Sequence, residues 1–450
     1  MNNSLDQYTD LYLRNADAFA AGSPDALNRL RPDALDELRL RTLPEKGDEG
    51  YEKTSLNDMF APDFGLNVNR VNLTADIAAS FRCDVPNMST LLAVTVNDTF
   101  HPTAGLETRL PDGVVFTSFR QAAANCPRVL DTHYGTLADL TRPEVALNTL
   151  LAQDGVLIYV PRGVRPDKPL QLVNIFAGSQ PTMAVRRVLI VVEEGASLQL
   201  LMCDHTQPGT ARCLSSQVIE AVAGAGAELE ICDIEESAPD TARASSLFLH
   251  QGDNSRVLVN GVTLTCGNTR NDFSVDIHGS RADTRIAGMA IGGPGMAIDN
   301  SSVLRHLAPR SKSNQLFKYV MDADSTGAFE GTILVTPEAP FTEAYQSNRN
   351  ILASRNARMH TRPQLEIYND DVKCSHGATT GQLDSKALFY MRTRGVPEHE
   401  ARVMLMQAFM TDVIDTVRME GLRDRLRHLV EKRFAGTAGT CADCSATCRK

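Results

Sequence analysis

From Val156 to Val335 the sequence returns again and again to one pattern: a short run of β-branched and aliphatic residues, then a polar or glycine-containing turn. The runs include Val156–Val160 (VLIYV), Leu170–Phe176, Val188–Glu193, Ser197–Met202, Gln217–Val222, Ala227–Ile231, Arg256–Val259, Gly261–Thr265, Ser274–Ile277 and Thr332–Val335. Pro161-Arg162-Gly163, Glu194-Gly195-Ala196 and Ala223–Ala227 punctuate them as turns. No helical pattern of ten to fifteen residues intervenes, which argues against a doubly wound α/β domain. A sandwich, a propeller and a parallel β-helix all satisfy these constraints. The loosely repeated rhythm of apolar run and turn favours the solenoid, although no strict hexapeptide repeat is present.

The flanks differ in character. Residues 1–150 read as a mixed, largely helical region. Leu5, Tyr8, Leu11 and Tyr12 recur at helical spacing, and Gly22-Ser23-Pro24 and Arg31-Pro32 then interrupt the pattern. Leu43–Thr54 (LPEKGDEGYEKT) reads as an exposed, solvated connector. Ser118–Leu130 and Pro143–Leu151 read as short helices, the latter with proline at its first position. The core spans 151–395. In residues 396–434, Met406, Met410, Val413, Ile414 and Val417 trace a helical stripe, and Gly421 separates it from a second helix bearing Leu422, Leu426 and Leu429. That stripe suits either core packing or a partner-docking surface. Residues 435–450 form a flexible joint and a cysteine-containing tail.

Bulk properties exclude several function classes. The chain has 450 residues, 42% hydrophobic, so a substantial core needs no covalent staples. A net charge of -10 without a long basic run, 6% aromatics and no tryptophan argue against nucleic-acid binding. No window approaches eighteen consecutive apolar residues, and the first thirty are too acidic and polar for a secretory signal, so a cytoplasmic protein with no membrane span is expected. The ten cysteines are too scattered for a disulfide framework. Cys83, Cys126, Cys203, Cys213, Cys232 and Cys266 stand singly and read as inert thiols.

Two places carry more chemistry. Within Arg362–Asp384 (RPQLEIYNDDVKCSHGATTGQLD), eleven residues hold Glu366, Asp370, Asp371, Cys374 and His376. On a strand, Cys374 and His376 at i and i+2 share a face, so a thiolate and an imidazole converge on one soft metal or sulfur atom while Lys373 faces away. The bland reading of the same residues is a structural turn with a satisfied histidine. The second place is the tail, Cys441-x2-Cys444-x3-Cys448, whose first pair is able to chelate a metal but which lacks the further cysteine of a bacterial ferredoxin pattern.

The stretch from Pro363 to Asp384, continuing into Leu388-Phe389-Tyr390-Met391-Arg392-Thr393-Arg394-Gly395, resembles the SufB/SufD family of iron–sulfur cluster assembly proteins, and its SufD branch most. Asn148-Thr149 with Asp154–Val164, His306–Arg310 and Gln346–Leu352 fit the same family. The resemblance implies a right-handed parallel β-helix between N-terminal and C-terminal helical regions. It also implies a non-catalytic scaffold subunit that pairs with SufB and docks the ATPase SufC through its C-terminal helices. No G-x-x-x-x-G-K-[ST] phosphate loop occurs here, in keeping with ATP binding by the partner. By the same resemblance, His376 is the first candidate iron ligand and Cys374 the second, holding transient iron or a nascent cluster at an interface shared with SufB. Glu366, Asp370 and Asp371 would tune the site or hold the chain, and Cys441, Cys444 and Cys448 lie outside the family pattern. An isolated chain would be free to pair with itself through an uncovered strand edge.

Overall fold

The computed structural model describes residues 4–71 and 89–436. Cys83 and the candidate tail ligands Cys441, Cys444 and Cys448 lie outside the described residues. The chain opens with helices Ser4–Arg14, Ala16–Ala21, Asp25–Leu40 and Leu56–Phe60. The first strands are β1 (Leu91–Val96), β2 (Thr99–Pro102), β3 (Val115–Ser118), β4 (Val156–Val160), β5 (Leu170–Phe176) and β6 (Thr182–Val192). The middle of the molecule adds β7 (Ser197–Thr206), β8 (Cys213–Ala223), β9 (Glu228–Glu236), β10 (Thr241–Gln251), β11 (Arg256–Thr265) and β12 (Asn268–Ile277). The last strands are β13 (Asp283–Gly292), β14 (Ala297–His306), β15 (Lys312–Met321), β16 (Thr326–Val335), β17 (Glu343–Leu352), β18 (Arg358–Ile367) and β19 (Lys373–Gly381).

From β4 onward, consecutive strands alternate between two sheets, and within each sheet every strand pairs in parallel with the strand two places on. This is a parallel β-helix of about eight coils. The sheets reach back beyond residue 151, because β1 joins β5 in parallel while β2 and β3 close that end as antiparallel edge strands. At the other end β18 and β19 are the terminal strands of their sheets.

Alternate residues of both sheets meet inside. Val188, Ile190 and Val192 of β6 share one apolar cluster with Leu198, Leu200 and Met202 of β7, the period-two pattern of a strand with one inward face. In the early coils the outward residues are buried as well, so β5 is buried along its whole length. The N-terminal helices pack on Leu157, Leu189, Val191 and Leu214 of the even-numbered sheet. On the opposite side, helices Glu398–Ile414 and Glu420–Phe434 cover Leu201, Ile234, Val262, Met289 and Val320 of the odd-numbered sheet. Met406, Met410, Val413, Ile414 and Val417 all point into that contact and are buried. The methionine stripe is therefore core packing. Lys318, itself buried, donates from Nζ to the carbonyl of Phe409 at 2.7 Å and pairs with Asp412, tying the first of these helices to β15.

A turn ladder runs down one corner. Gly163, Gly195, Gly226, Asn254, Arg281, Arg310 and Phe341 all adopt φ between +54° and +71°. Each donates its backbone N–H to a carbonyl in the next coil, from Gly163 to Glu194 at the start to Phe341 to Asp371 at the end. Left-handed backbone costs glycine nothing but costs Arg281, Arg310 and Phe341 on the order of 1 kcal/mol each. The inter-coil bond offsets that cost and carries the ladder into the Asp370-Asp371 turn.

Several expectations change in detail: Pro32 lies inside helix Asp25–Leu40 rather than interrupting it, and Gly421 lies inside helix Glu420–Phe434 rather than before it. Residues 43–54 are exposed from Glu45 to Glu49, as expected of a connector, but the segment is anchored as a strap across the even-numbered sheet. Leu43 and Thr54 are buried, Arg270 stacks over the Tyr51 ring at 4.5 Å, and Thr54 Oγ1 donates to Asp299 at 2.6 Å. Ser118–Leu130 divides into helices Phe119–Asn125 and Pro127–His133, the first capped by Ser118 Oγ accepting from the Gln121 amide. Pro143–Leu151 is helical over the length expected, with proline in its first turn.

Candidate functional site at the open end of the solenoid

The Cys-x-His segment lies on β19, the edge strand of the odd-numbered sheet. Cys374 pairs in register with Ala344 and His376 with Gln346. Ala344, Gln346, Asn348 and Asn350 are the buried, inward residues of β17, so Cys374 and His376 share the inward face of the last coil. Lys373 takes the opposite face and is exposed.

The two side chains differ in environment. Cys374 is half-buried and packs with Ile333, Val335, Ala339, Ala344 and Leu365. Burial pushes its thiol above the ordinary range, against a backbone hydrogen bond from Ala344 that favours the thiolate. At neutral pH it is a protonated thiol and a poor nucleophile. His376 is exposed, because no further coil follows β19.

The acidic residues of the motif are not gathered with them. Glu366 is on β18, in the other sheet, and is exposed. Asp370 and Asp371 sit in the connecting turn with exposed side chains. There the Asp371 carbonyl accepts the Phe341 N–H at 2.6 Å, and its own amide donates to Asn369 Oδ1 at 2.9 Å. Among the described residues no group of three or more His, Cys, Asp or Glu side chains is placed to hold a metal. The described residues of this face thus bring two potential donors together, fewer than iron takes in its protein sites.

The other described cysteines are ordinary core thiols. Cys203, Cys213, Cys232 and Cys266 are buried and Cys126 half-buried. Burial pushes Cys213 up to about 12 and also raises Cys126, Cys232 and Cys266. A cleft of about 590 Å³ lies beside the strap, far along the chain from β19. Its central charges are paired, Arg142 with Asp272 at 3.0 Å and Arg270 with Asp272 at 2.7 Å.

Two features of the open end had no signal in the linear sequence. One is Gln346, brought beside His376 by register alone. The other is apolar exposure. Of the ten large hydrophobic side chains exposed among the described residues, seven lie between 341 and 404: Phe341, Tyr345, Ile367, Tyr368, Phe389, Tyr390 and Met404. Tyr368 is 62% exposed and Phe389 68%. Helix Ser385–Thr393, capped by Asp384, has no buried residue at all. Such a concentration marks an interaction surface.

Comparison with known proteins bears on this surface. Residues 175–409 match the family described as SUF system FeS cluster assembly, SufBD core domain, and residues 2–172 match the SufBD protein N-terminal region. The chain belongs to the SufBD family. Among its SufBD relatives, the iron–sulfur cluster assembly protein SufD of Escherichia coli is 30% identical over 308 residues, 67% of this chain and 72% of that protein. An iron–sulfur cluster assembly SufBD family protein of Synechocystis is 28% identical over 420 residues, 92% of this chain and 90% of the relative. This SufBD chain is accordingly an assembly protein of the Suf system. Among its described residues, no helix is long and apolar enough to cross a membrane.

Proposed function

We propose that this SufBD chain is the SufD-type subunit of a cytoplasmic complex with SufB and the ATPase SufC, a scaffold that performs no complete reaction alone. The observation that carries this reading is the open end of the solenoid. Two strand edges, a helix without a buried residue and a set of exposed aromatics accompany a donor pair too small to hold iron by itself. A partner that covers β18 and β19 completes both the surface and the coordination.

In this reading transient iron, or a nascent cluster, is the cargo. His376 is its first ligand on this side, since a neutral imidazole binds ferrous iron and releases it on protonation. Cys374 follows once the approaching cation draws the proton from its thiol. ATP is hydrolysed by SufC, docked on the outer face of the C-terminal helices, whose inner face is already occupied by the methionine stripe. An isolated chain pairs with a second copy through the same edges.

Anaerobic cluster assembly by the purified three-component complex, with His376 or with His376→Ala at equal subunit content, tests the reading. Loss of most cluster with stoichiometry retained is the expected result. Undiminished assembly would leave this chain a structural bridge between its partners.

A further inference from the structure

Inward residues stack in register down the odd-numbered sheet, and one column leads to His376. Gln315 of β15, Gln346 of β17 and His376 of β19 occupy the same position in three successive coils. Gln315 is fully buried and Gln346 is 4% exposed. From the opposite sheet, the Ser302 hydroxyl donates to Gln315 Oε1 at 2.6 Å and fixes that amide. Its Nε2 has no hydrogen-bond partner, and neither does either amide atom of Gln346.

A buried amide left unpartnered costs on the order of 1–3 kcal/mol, where leucine would fill a similar volume without penalty. The fold also keeps room for this one. Gly331 of β16 faces the Gln346 amide across the interior, and a Cβ at that position would overlap the amide nitrogen. An unsatisfied amide, held in a space that a glycine preserves and set one strand from an exposed histidine, is a binding group awaiting its partner.

We propose that Gln346 is the positioning residue for His376, an inference that rests on the reading of His376 as the iron-binding side chain. Neighbouring strands lie roughly 4.8 Å apart, so amide and imidazole are within hydrogen-bonding reach. As cargo arrives, Gln346 Oε1 accepts the N–H of the imidazole, which fixes the tautomer and leaves the lone pair of the other ring nitrogen to the metal. Gln315 Nε2 donates to the second lone pair of the same oxygen. The column turns a freely rotating surface histidine into an oriented ligand.

Gln346→Leu and Gln346→Glu in the full-length chain, assembled with its SufB and SufC partners at equal subunit content, test this, read by anaerobic Fe(II) titration and by ¹⁵N resonances of the labelled imidazole. Gln346→Leu should weaken Fe(II) binding roughly tenfold or more and mix the His376 tautomers of the loaded protein. Its urea midpoint should hold or rise, since a partnerless amide is gone. Gln346→Glu, which keeps an acceptor, should restore both affinity and tautomer. Unchanged affinity and a single tautomer in Gln346→Leu would overturn the proposal. His376→Ala separates the two levels. If it weakens Fe(II) binding and Gln346→Leu does not, only the positioning role fails, whereas if it leaves binding unchanged, the iron-binding reading of His376 fails first.

Discussion

Replacing Arg243 by methionine is expected to destabilise the protein by about 3–5 kcal/mol at pH 8. Arg243 is 2% exposed and points into the solenoid, where it pairs with Asp233 and lies 3.6 Å from Asp204. Arg186, stacked on Phe176 at 4.3 Å, pairs with the same Asp204 at 3.1 Å. Burial alone would raise Asp204, yet Arg186 and Arg243 hold it below the usual carboxylate range. Burial keeps Asp233 raised even with Arg243 beside it. Removing the guanidinium strands charge in the interior, and the stranded carboxylates relieve the cost by taking up protons. Asp233 then rises further above its unfolded value and Asp204 loses the guanidinium that helped hold it below, so the stability that protonation preserves at low pH is lost as pH increases. Urea unfolding at pH 5 and pH 8 should show a markedly smaller penalty at pH 5. An equal penalty at both, or one below about 1 kcal/mol at pH 8, would mean the cluster contributes shape rather than charge.

Glu235 in the same cluster gives the second large effect. Burial pushes its carboxyl up to about 7, although Arg243 opposes this and Thr269 and Ser237 donate to Oε1 at 2.8 and 3.0 Å. Its unfolded value is 4.5. Between these limits the native state keeps a proton that the unfolded chain releases. The contribution is therefore complete below about 4.5, declines as pH rises, and is gone above about 7. The shift corresponds to about 3 kcal/mol. Glu235→Gln should lack that slope and exceed the native protein by up to about 3 kcal/mol at pH 8. His306 works in the other direction. Burial pushes it down to about 4, with Ser311 and Ser313 on its two ring nitrogens, so its contribution is complete above about 6.5 and fades as pH falls. Subtracting native from variant stability at each pH cancels that histidine. Parallel curves for the two proteins between pH 4.5 and 8 would show that Glu235 is not the titrating group.

These inward charges also explain where sequence reading stopped short. The apolar runs located most strands of the solenoid but marked only their apolar ends. Val188 begins the readable part of β6, while the strand starts at Thr182 and carries Arg186 inward. A fixed repeat was invisible because coil length varies. Ala242 pairs with Asn268, 26 residues on, and Thr326 with Arg358, 32 residues on. The variation falls in the turns, which leaves the register within each sheet intact. The strap looked solvated because its anchors, Arg270 and Asp299, lie more than two hundred residues away. At the site, strand parity was enough to put Cys374 and His376 on one face. That Glu366 would fall in the opposite sheet, and Gln346 beside the histidine, depended on the two-sheet path of the chain.

The two ends of the solenoid set how far assembly can proceed. Among the described residues, antiparallel edge strands β2 and β3, four residues each, blunt one end, while parallel β18 and β19, ten and nine residues long, leave the longer edge for pairing at the other. A rod with a single reactive end cannot polymerise end to end. When two such rods meet, whether identical or related, each consumes the other's valence and the object is finished. The blunted end thus acts as a chain terminator, which lets this protein keep a long, adhesive strand edge exposed for a partner without the fibre formation such an edge invites.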